Sequence, residues 1–501
     1  MTMSSQFRAL TLAALSALLL NACGGGTTTT TTTTLNNNGG GTTVPSTNAG
    51  SATVCPASTI QNTVARNGNG QASTIYMDLC PITTTSTSGT QQLRTSANIP
   101  YVSVYLCAPG STTNCAWIDH IEVDTGSEGL RVLASAIPTN VLNGMTSQTA
   151  SSFAPAAPPG NIGECYAFVS SFFWGGVRSA DVTLGGTVAP PGNPGSTGLT
   201  AHNLHLQVLN DPLLNIGPPQ GNCGIQGQSS TNLVNTANDI RANGILGVGL
   251  FADDCHTPLP VGSSGSCNPN GSPAGYYSCA NNVCTPVGPG ASGGPINVGA
   301  SVANPASAVG KSGVSITLNS AATSNSTSVA GVLNYGFTTA PSNIQVADPV
   351  NAYITSTVNG VNYPVANAGG SYVDSGSNAI YFSNQVTGTS LPDQNIGNLA
   401  SCTTSANPFA CISGASTLTL PTSMGSYLAA SGTFTISPSP IVNDAQSLFN
   451  ASNGPAYEGL AIVDAAYTAP GTFAWGLPFF YSRTVYFGIY DGTANTPYYG
   501  F

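Results

Sequence analysis

Short apolar runs, broken every few residues by Gly, Pro, Asn and Ser, set the pattern of this chain. "YVSVYLC", "IDHIEVD", "AFVSSFF", "ADVTLGG", "LHLQVLN", "NAYITSTV", "TLTLP", "GTFTIS" and "TVYFGIYD" are the clearest of them. Their length, their content of β-branched and aromatic residues and their flanking turn formers predict strands, so the fold class is mainly β. Helical periodicity is scarce, with "VNDAQSLFNAS" the one candidate. Residues 24–51 are a Gly/Thr-rich low-complexity stretch that predicts a disordered tether. Beyond it the pattern divides the chain into an N-terminal β lobe at 52–255 and a C-terminal β lobe at 326–501. Residues 256–325, rich in Cys, Gly and Pro, are expected to be a loop insertion followed by the interlobe connection.

Composition narrows the setting. Apolar residues make up 41% of the chain, enough for a real core, but only 5% of residues are charged, against roughly a quarter in ordinary proteins. Lys311 is the single lysine, and the formal net charge is −10. That balance argues against nucleic acid and anionic lipid surfaces as partners. The first 23 residues read as a targeting segment: Arg8 supplies the positive start, Ala9 to Leu20 a short apolar run, and Leu20-Asn21-Ala22-Cys23 resembles a bacterial lipobox. Cys23 is then the expected lipidation site, followed by the tether that carries the body clear of the membrane. Gly24 after Cys23 points to an outer-membrane lipoprotein, with the periplasmic and outer faces both open. Of 13 cysteines, 12 remain after Cys23, an even number in an exported chain, which predicts disulfides. Cys107/Cys115, Cys279/Cys284 and Cys402/Cys411 are close enough in sequence to clip short loops. Cys279 and Cys284 have the wrong spacing for zinc, and no metal site is expected.

Candidate chemistry comes from a repeat. "IEVDTGSEGLRV" at 121–132 drives an apolar strand into Asp124-Thr125-Gly126-Ser127 and then resumes the strand pattern. Alone it would be a turn, since all four are turn residues. "GGSYVDSGSNAIYF" at 369–382 repeats it in the other half, with Asp374-Ser375-Gly376-Ser377. Asp-hydroxyl-Gly-hydroxyl after a strand, once per lobe, is far more specific than either copy. Downstream stand Ile245-Leu246-Gly247 in the first half and Ala474-Trp475-Gly476 in the second.

On these motifs the chain resembles the pepsin-like aspartic peptidases over roughly residues 95–501, apart from the Cys/Gly-rich insert. The tail "PFFYSRTVYFGIYD" and the run "GVLNYGF" at 331–337 are similar to strands of that family's second lobe. The resemblance implies a double-lobed β-barrel protein with one catalytic Asp loop per lobe. Asp124 and Asp374 would then share one proton, one acting as acid and the other as base on a bound water, with no metal or cofactor. Thr125 and Ser375 would reach to the opposite loop, Ser127 and Ser377 would hold the outer carboxylate oxygens, and Gly126 and Gly376 would let the backbone approach. The lipobox and the Asp pair together also resemble an uncharacterised family of proteobacterial lipoproteins, which implies no function.

Two departures from the peptidase pattern stand out. Arg131 occupies the place of an aromatic that in the family supports a flap Tyr, and it is expected to bring positive charge near the Asp pair. The flap region should lie at 165–186, "CYAFVSSFFWGGVRSADVTLGG", without the family's Tyr-Gly-x-Gly turn, leaving Tyr166 or Trp174 as substitutes over the cleft. The expected function is an aspartic endopeptidase acting on a polypeptide as a monomer. The alternatives are an inactive envelope binding module that uses the same cleft for a peptide ligand, and a purely structural surface lipoprotein. His120, His202 and His205 read as surface or packing residues, and no Ser-His-Asp elbow, P-loop or dinucleotide fingerprint is found.

Overall fold

The computed structural model describes residues 70–78, 97–168, 171–186, 198–214, 216–219, 223, 233–255, 274–288, 296–297, 299–320, 329–337, 341–349, 352–363, 370–382, 399–401, 409–412, 417–427, 433–445, 448, 455–463, 472–490 and 496–501. Within them the protein is mainly β, with short helices such as α1 (Pro305–Ala308). Cys23, the tether at 24–51 and the Cys402/Cys411 pair lie outside the described residues or their side chains, as does most of the "VNDAQSLFNAS" segment.

The N-terminal lobe is built from β1 (Ala72–Tyr76), β2 (Tyr101–Cys107), β3 (Cys115–Asp124), β4 (Glu128–Leu133), β5 (Asn161–Ala167), β6 (Phe172–Leu184), β7 (Leu199–Leu209) and β8 (Gly244–Val248). The stretch at 256–325 is more than loop. It contains the hairpin of β9 (Ala274–Ala280) and β10 (Val283–Val287), and β9 pairs with β5 at the edge of the N-terminal sheet. Asn281 and Asn282 turn this hairpin with φ of 51° and 62°. Asn tolerates that left-handed region better than most residues, and two such residues suit a tight hairpin turn. Cys279–Cys284 staples it and Cys107–Cys115 joins β2 to β3, as their spacing suggests. A third disulfide, Cys165–Cys223, spans 58 residues. Beyond α1, β11 (Gly313–Leu318) already belongs to the C-terminal half.

The lobes are joined through one continuous sheet. β1 pairs antiparallel with β12 (Val329–Tyr335), which pairs with β11, which pairs in turn with β13 (Arg483–Gly488). The apolar positions Val314, Ile316, Leu333, Val485 and Phe487 on these strands are buried in the same core as Val102, Val104, Ile121 and Val123 of the first lobe. Burial of this apolar surface drives the lobes together, and strand alternation decides which residues take part.

The same crossing occurs once in each lobe. In the first, β8 runs parallel to β3, with Asp124 beside Gly247, and antiparallel to β4, with Glu128 beside Val248. In the second, β14 (Gly370–Val373) and β15 (Ile380–Phe382) flank β16 (Thr472–Trp475): β14 parallel, with Val373 beside Trp475, and β15 antiparallel. Each strand carrying the apolar-apolar-Gly element is thus threaded between the two limbs of an Asp loop. A Cβ on Gly247 would meet the Glu128 backbone at 2.7 Å, which explains why the element ends in glycine. The double-lobed β arrangement with one Asp loop per lobe is the one implied by the sequence motifs.

Candidate active site

The two Asp loops meet face to face between the lobes. Ser375 N–H donates to Thr125 Oγ1 at 2.9 Å, and Thr125 N–H donates to Ser375 Oγ at 3.2 Å. Ser375 Oγ in turn donates to Val123 O at 2.7 Å. Thr125 and Ser375 are 2% and 0% exposed, so these bonds are sheltered from water, where their loss would cost most. They fix the distance between the loops.

Within each loop the carboxylate is held by its own chain. Asp124 Oδ1 accepts from Gly126 N–H at 2.8 Å and its Oδ2 from Ser127 Oγ. Asp374 repeats this with Gly376 N–H at 2.8 Å and Ser377 Oγ at 2.6 Å. The glycines also admit the opposite carboxylate. A Cβ on Gly126 would sit 2.8 Å from Asp374 Cγ and Oδ1, and one on Gly376 2.5 Å from Asp124 Oδ1. Any larger residue at either position would push the carboxylates apart.

Burial and the neighbouring Asp124 carboxyl, close enough to share a hydrogen bond, raise the pKa of Asp374 to about 8, against the opposing donors Ser377 and Gly376. Two carboxyls at this range titrate as one unit, and the direction is clear: the pair retains a proton well above the ordinary carboxylate range. Such a pair can donate and accept at one pH.

Two further carboxyls surround the pair, and neither is among the residues singled out from the sequence. Burial, then Asp124 and Asp374, push the pKa of Glu122 well above normal. Burial, then Asp124, do the same for Glu128 on β4, with Arg131 opposing. Glu122 was legible in principle, because it alternates with Asp124 along one strand.

The three residues expected near the flap are placed differently. Arg131 is completely buried in the N-terminal lobe, with Nη2 donating at 2.8 Å to both Glu164 Oε1 and Asp254 Oδ2. Its Nη1 donates to Glu128 O at 2.5 Å, and its guanidinium lies 3.6 Å over the Tyr166 ring. Two carboxylates answer its charge within the core, so it does not project positive charge at the Asp pair. Tyr166 is 2% exposed and serves as the stacking surface of this group. Trp174 neighbours Cys165 across the hairpin of β5 and β6, on the face away from Tyr166 and Phe173. There it packs edge-on against Tyr277 and donates Nε1 to Ile216 O at 2.8 Å. Neither ring reaches over the cleft as a flap aromatic would. Near the described tip of that hairpin is the half-buried Phe168, its ring packed at a tilt against Phe173.

Asp253, Asp254 and Cys255 cluster closely enough to suggest a metal site, but their ligand atoms are committed. Asp254 accepts from Arg131 and from Tyr276 Oη at 2.8 Å, Asp253 Oδ1 accepts from Cys255 N–H at 2.8 Å, and Cys255 is disulfide-bonded. Among the histidines, His205 Nδ1 bonds Ala300 O at 2.7 Å, His202 is exposed, and His120 is buried in an acidic nest.

Fold and site together define a bilobal β protein with a buried, reciprocally bonded aspartate pair at the lobe interface. The chain belongs to a family described as "Protein of unknown function (DUF3443)", matched over residues 76–501. No curated protein sequence matches it. Among solved structures, it is similar to the aspartic proteinase from Irpex lacteus, with 16% identity and a TM-score of 0.42, covering 86% of this chain and 97% of that one. It is also similar to Basic 7S globulin from soybean, with 12% identity and a TM-score of 0.38, covering 86% and 95%.

Proposed function

We propose that this protein is an aspartic endopeptidase of the cell envelope, with Asp124 and Asp374 as its acid–base pair. The observation that carries this reading is the pair of buried carboxyls set together by matching donors and by reciprocal bonds between their loops, a geometry in which burial and proximity favour a shared proton. The ionised member takes a proton from a water as that water attacks a peptide carbonyl, while the protonated member donates to the carbonyl oxygen. The tetrahedral intermediate then collapses with a proton passed to the leaving amine, and the pair returns to its starting state. Thr125 and Ser375 position the loops, and Ser127 and Ser377 orient the outer oxygens. Disulfides such as Cys107–Cys115, Cys165–Cys223 and Cys279–Cys284, the sparse charge and the lipobox at Cys23 support an exported, lipid-anchored chain.

The second reading, a cleft that binds peptide without cutting it, draws on the burial of Tyr166 and Trp174, which leaves neither to clamp a substrate. Purified protein lacking the first 50 residues decides between them on unfolded protein substrates from pH 3 to 10. Cleavage is expected to persist to neutral pH and to fall on the basic side near the Asp374 pKa of about 8, as the shared proton is lost. Asp124→Asn and Asp374→Asn are each expected to lower kcat by at least ~10³-fold, since neither half supplies both acid and base. Equal behaviour of wild type and both variants on a broad peptide library would refute the endopeptidase.

A further inference from the structure

The strand that delivers Asp124 brings another carboxyl to the same side. Ile121 and Val123 on β3 face the apolar core and are fully buried, so Glu122 and Asp124 point the other way. Glu122 is 9% exposed, the same as Asp374. Its cross-strand neighbours are Ile245 and Tyr101, and the Tyr101 hydroxyl donates to Arg241 O. Asp124 and Asp374 each have two donors of their own, whereas no hydrogen bond reaches the Glu122 carboxyl from the described residues. Among the described residues, the charges that act on it are those of Asp124 and Asp374, while Arg131 and Arg178 are bound elsewhere, to Glu164 and Asp254 and to Asp211. The Glu122 side chain is about nine-tenths buried while its carboxyl meets no protein donor, so it gains from a proton or from a partner that reaches it from outside.

We infer that Glu122 seats a cationic side chain, Lys or Arg, of a polypeptide lying across the aspartate pair. An ammonium or guanidinium group brings both the opposite charge and the missing donors, and in a desolvated cleft such a charge-assisted bond is strong. Burial and the two aspartates favour the protonated form of Glu122, and an arriving cation favours the charged form. A neutral side chain of the same length gains none of this. The inference takes the lie of the polypeptide from the peptidase reading but not its chemistry, because the same seat would serve a cleft that binds without cutting.

The test uses quenched fluorescent peptides in which one residue, moved in turn through the positions flanking the scissile bond, is either Lys or Nε-acetyl-Lys. At one position the Lys peptide is expected to show about tenfold higher kcat/KM, or about tenfold tighter binding by anisotropy where nothing is cut. Glu122→Gln should bring that ratio close to one. Should it fail to fold by circular dichroism, Glu122→Asp, which withdraws the carboxylate by one methylene, should lower the ratio severalfold. Cleavage without a preference for Lys, or with a preference that both variants retain, overturns the inference and leaves the endopeptidase standing. Binding that depends on charge and on Glu122, without any cleavage, overturns the endopeptidase and keeps the inference. Peptides neither cut nor bound overturn both.

Discussion

His120 sits four residues before Asp124 at a break in the register between β2 and β3, with φ of 52°. It is 1% exposed, packs edge-on to Tyr76 and at a tilt against Tyr101, and its Nε2 bonds Asp78 Oδ2 at 2.7 Å. Nδ1 lies 3.4 Å from Asp119 Oδ1, off the line of a good hydrogen bond but close enough to pair as an ion. Burial alone would lower its pKa, but Asp119 and Asp78 more than offset that and raise it from 6.5 to about 9. A raised folded-state pKa contributes stability that is fully present below pH 6.5 and is lost as pH rises through about 9. A shift of this size corresponds to roughly 3 kcal/mol. Urea unfolding across that window should show the decline in wild type. It should be absent in His120→Asn, a replacement chosen because Asn accepts a left-handed backbone. An unchanged slope in the variant would mean that the acidic nest does not charge the imidazole.

At the scale of elements, β4 is fixed as much by charge as by apolar packing. Arg131 leaves the strand to meet Glu164 on β5 and Asp254 beyond β8, all three fully buried. Removing one side of a buried ion group leaves the others uncompensated, so Arg131→Met should lower stability by about 3–5 kcal/mol at neutral pH. The loss should shrink at pH 5, as Asp254, whose carboxyl burial pushes well above the ordinary range, takes up a proton, and Glu164→Gln with Asp254→Asn should recover most of it. Denaturant midpoints of the single and triple variants provide the check. The same elements show what could be read from the chain and what could not. Asp124 and Asp374 were legible because each loop's chemistry lies within four consecutive residues. The place of Arg131 was not, because its partners stand 33 and 123 residues away. Trp174 and Tyr166 stand elsewhere than expected because every position of Phe172–Leu184 and the whole interior of Asn161–Ala167 are buried, so alternation along β5 and β6 marks no cleft side. The β9 and β10 hairpin was hidden by surroundings rich in Gly, Ser and Pro, although Asn281-Asn282 between apolar runs is a hairpin signal.

At the scale of the whole molecule, the Cys165–Cys223 bond ties the β5 and β6 hairpin to a segment 58 residues on. In the chain-entropy view, closing such a loop stabilises by about 4 kcal/mol, most of it by restricting the unfolded state. Cys165→Ser with Cys223→Ser should therefore lower the thermal midpoint by several degrees and leave the Asp pair in place. Calorimetry and peptide cleavage by the same sample separate the two effects. The partnership of β1 with β12 carries a consequence of timing. Ser73 of β1 bonds Tyr335 across 262 residues, so β1 leaves the ribosome long before its partner exists. A nascent chain stopped short of β12 has an open strand edge and no means of docking its lobes, and pairings this distant in sequence form slowly. If the chain is exported, as proposed above, that delay keeps it threadable until its partner strand, ending at Tyr335, has been made.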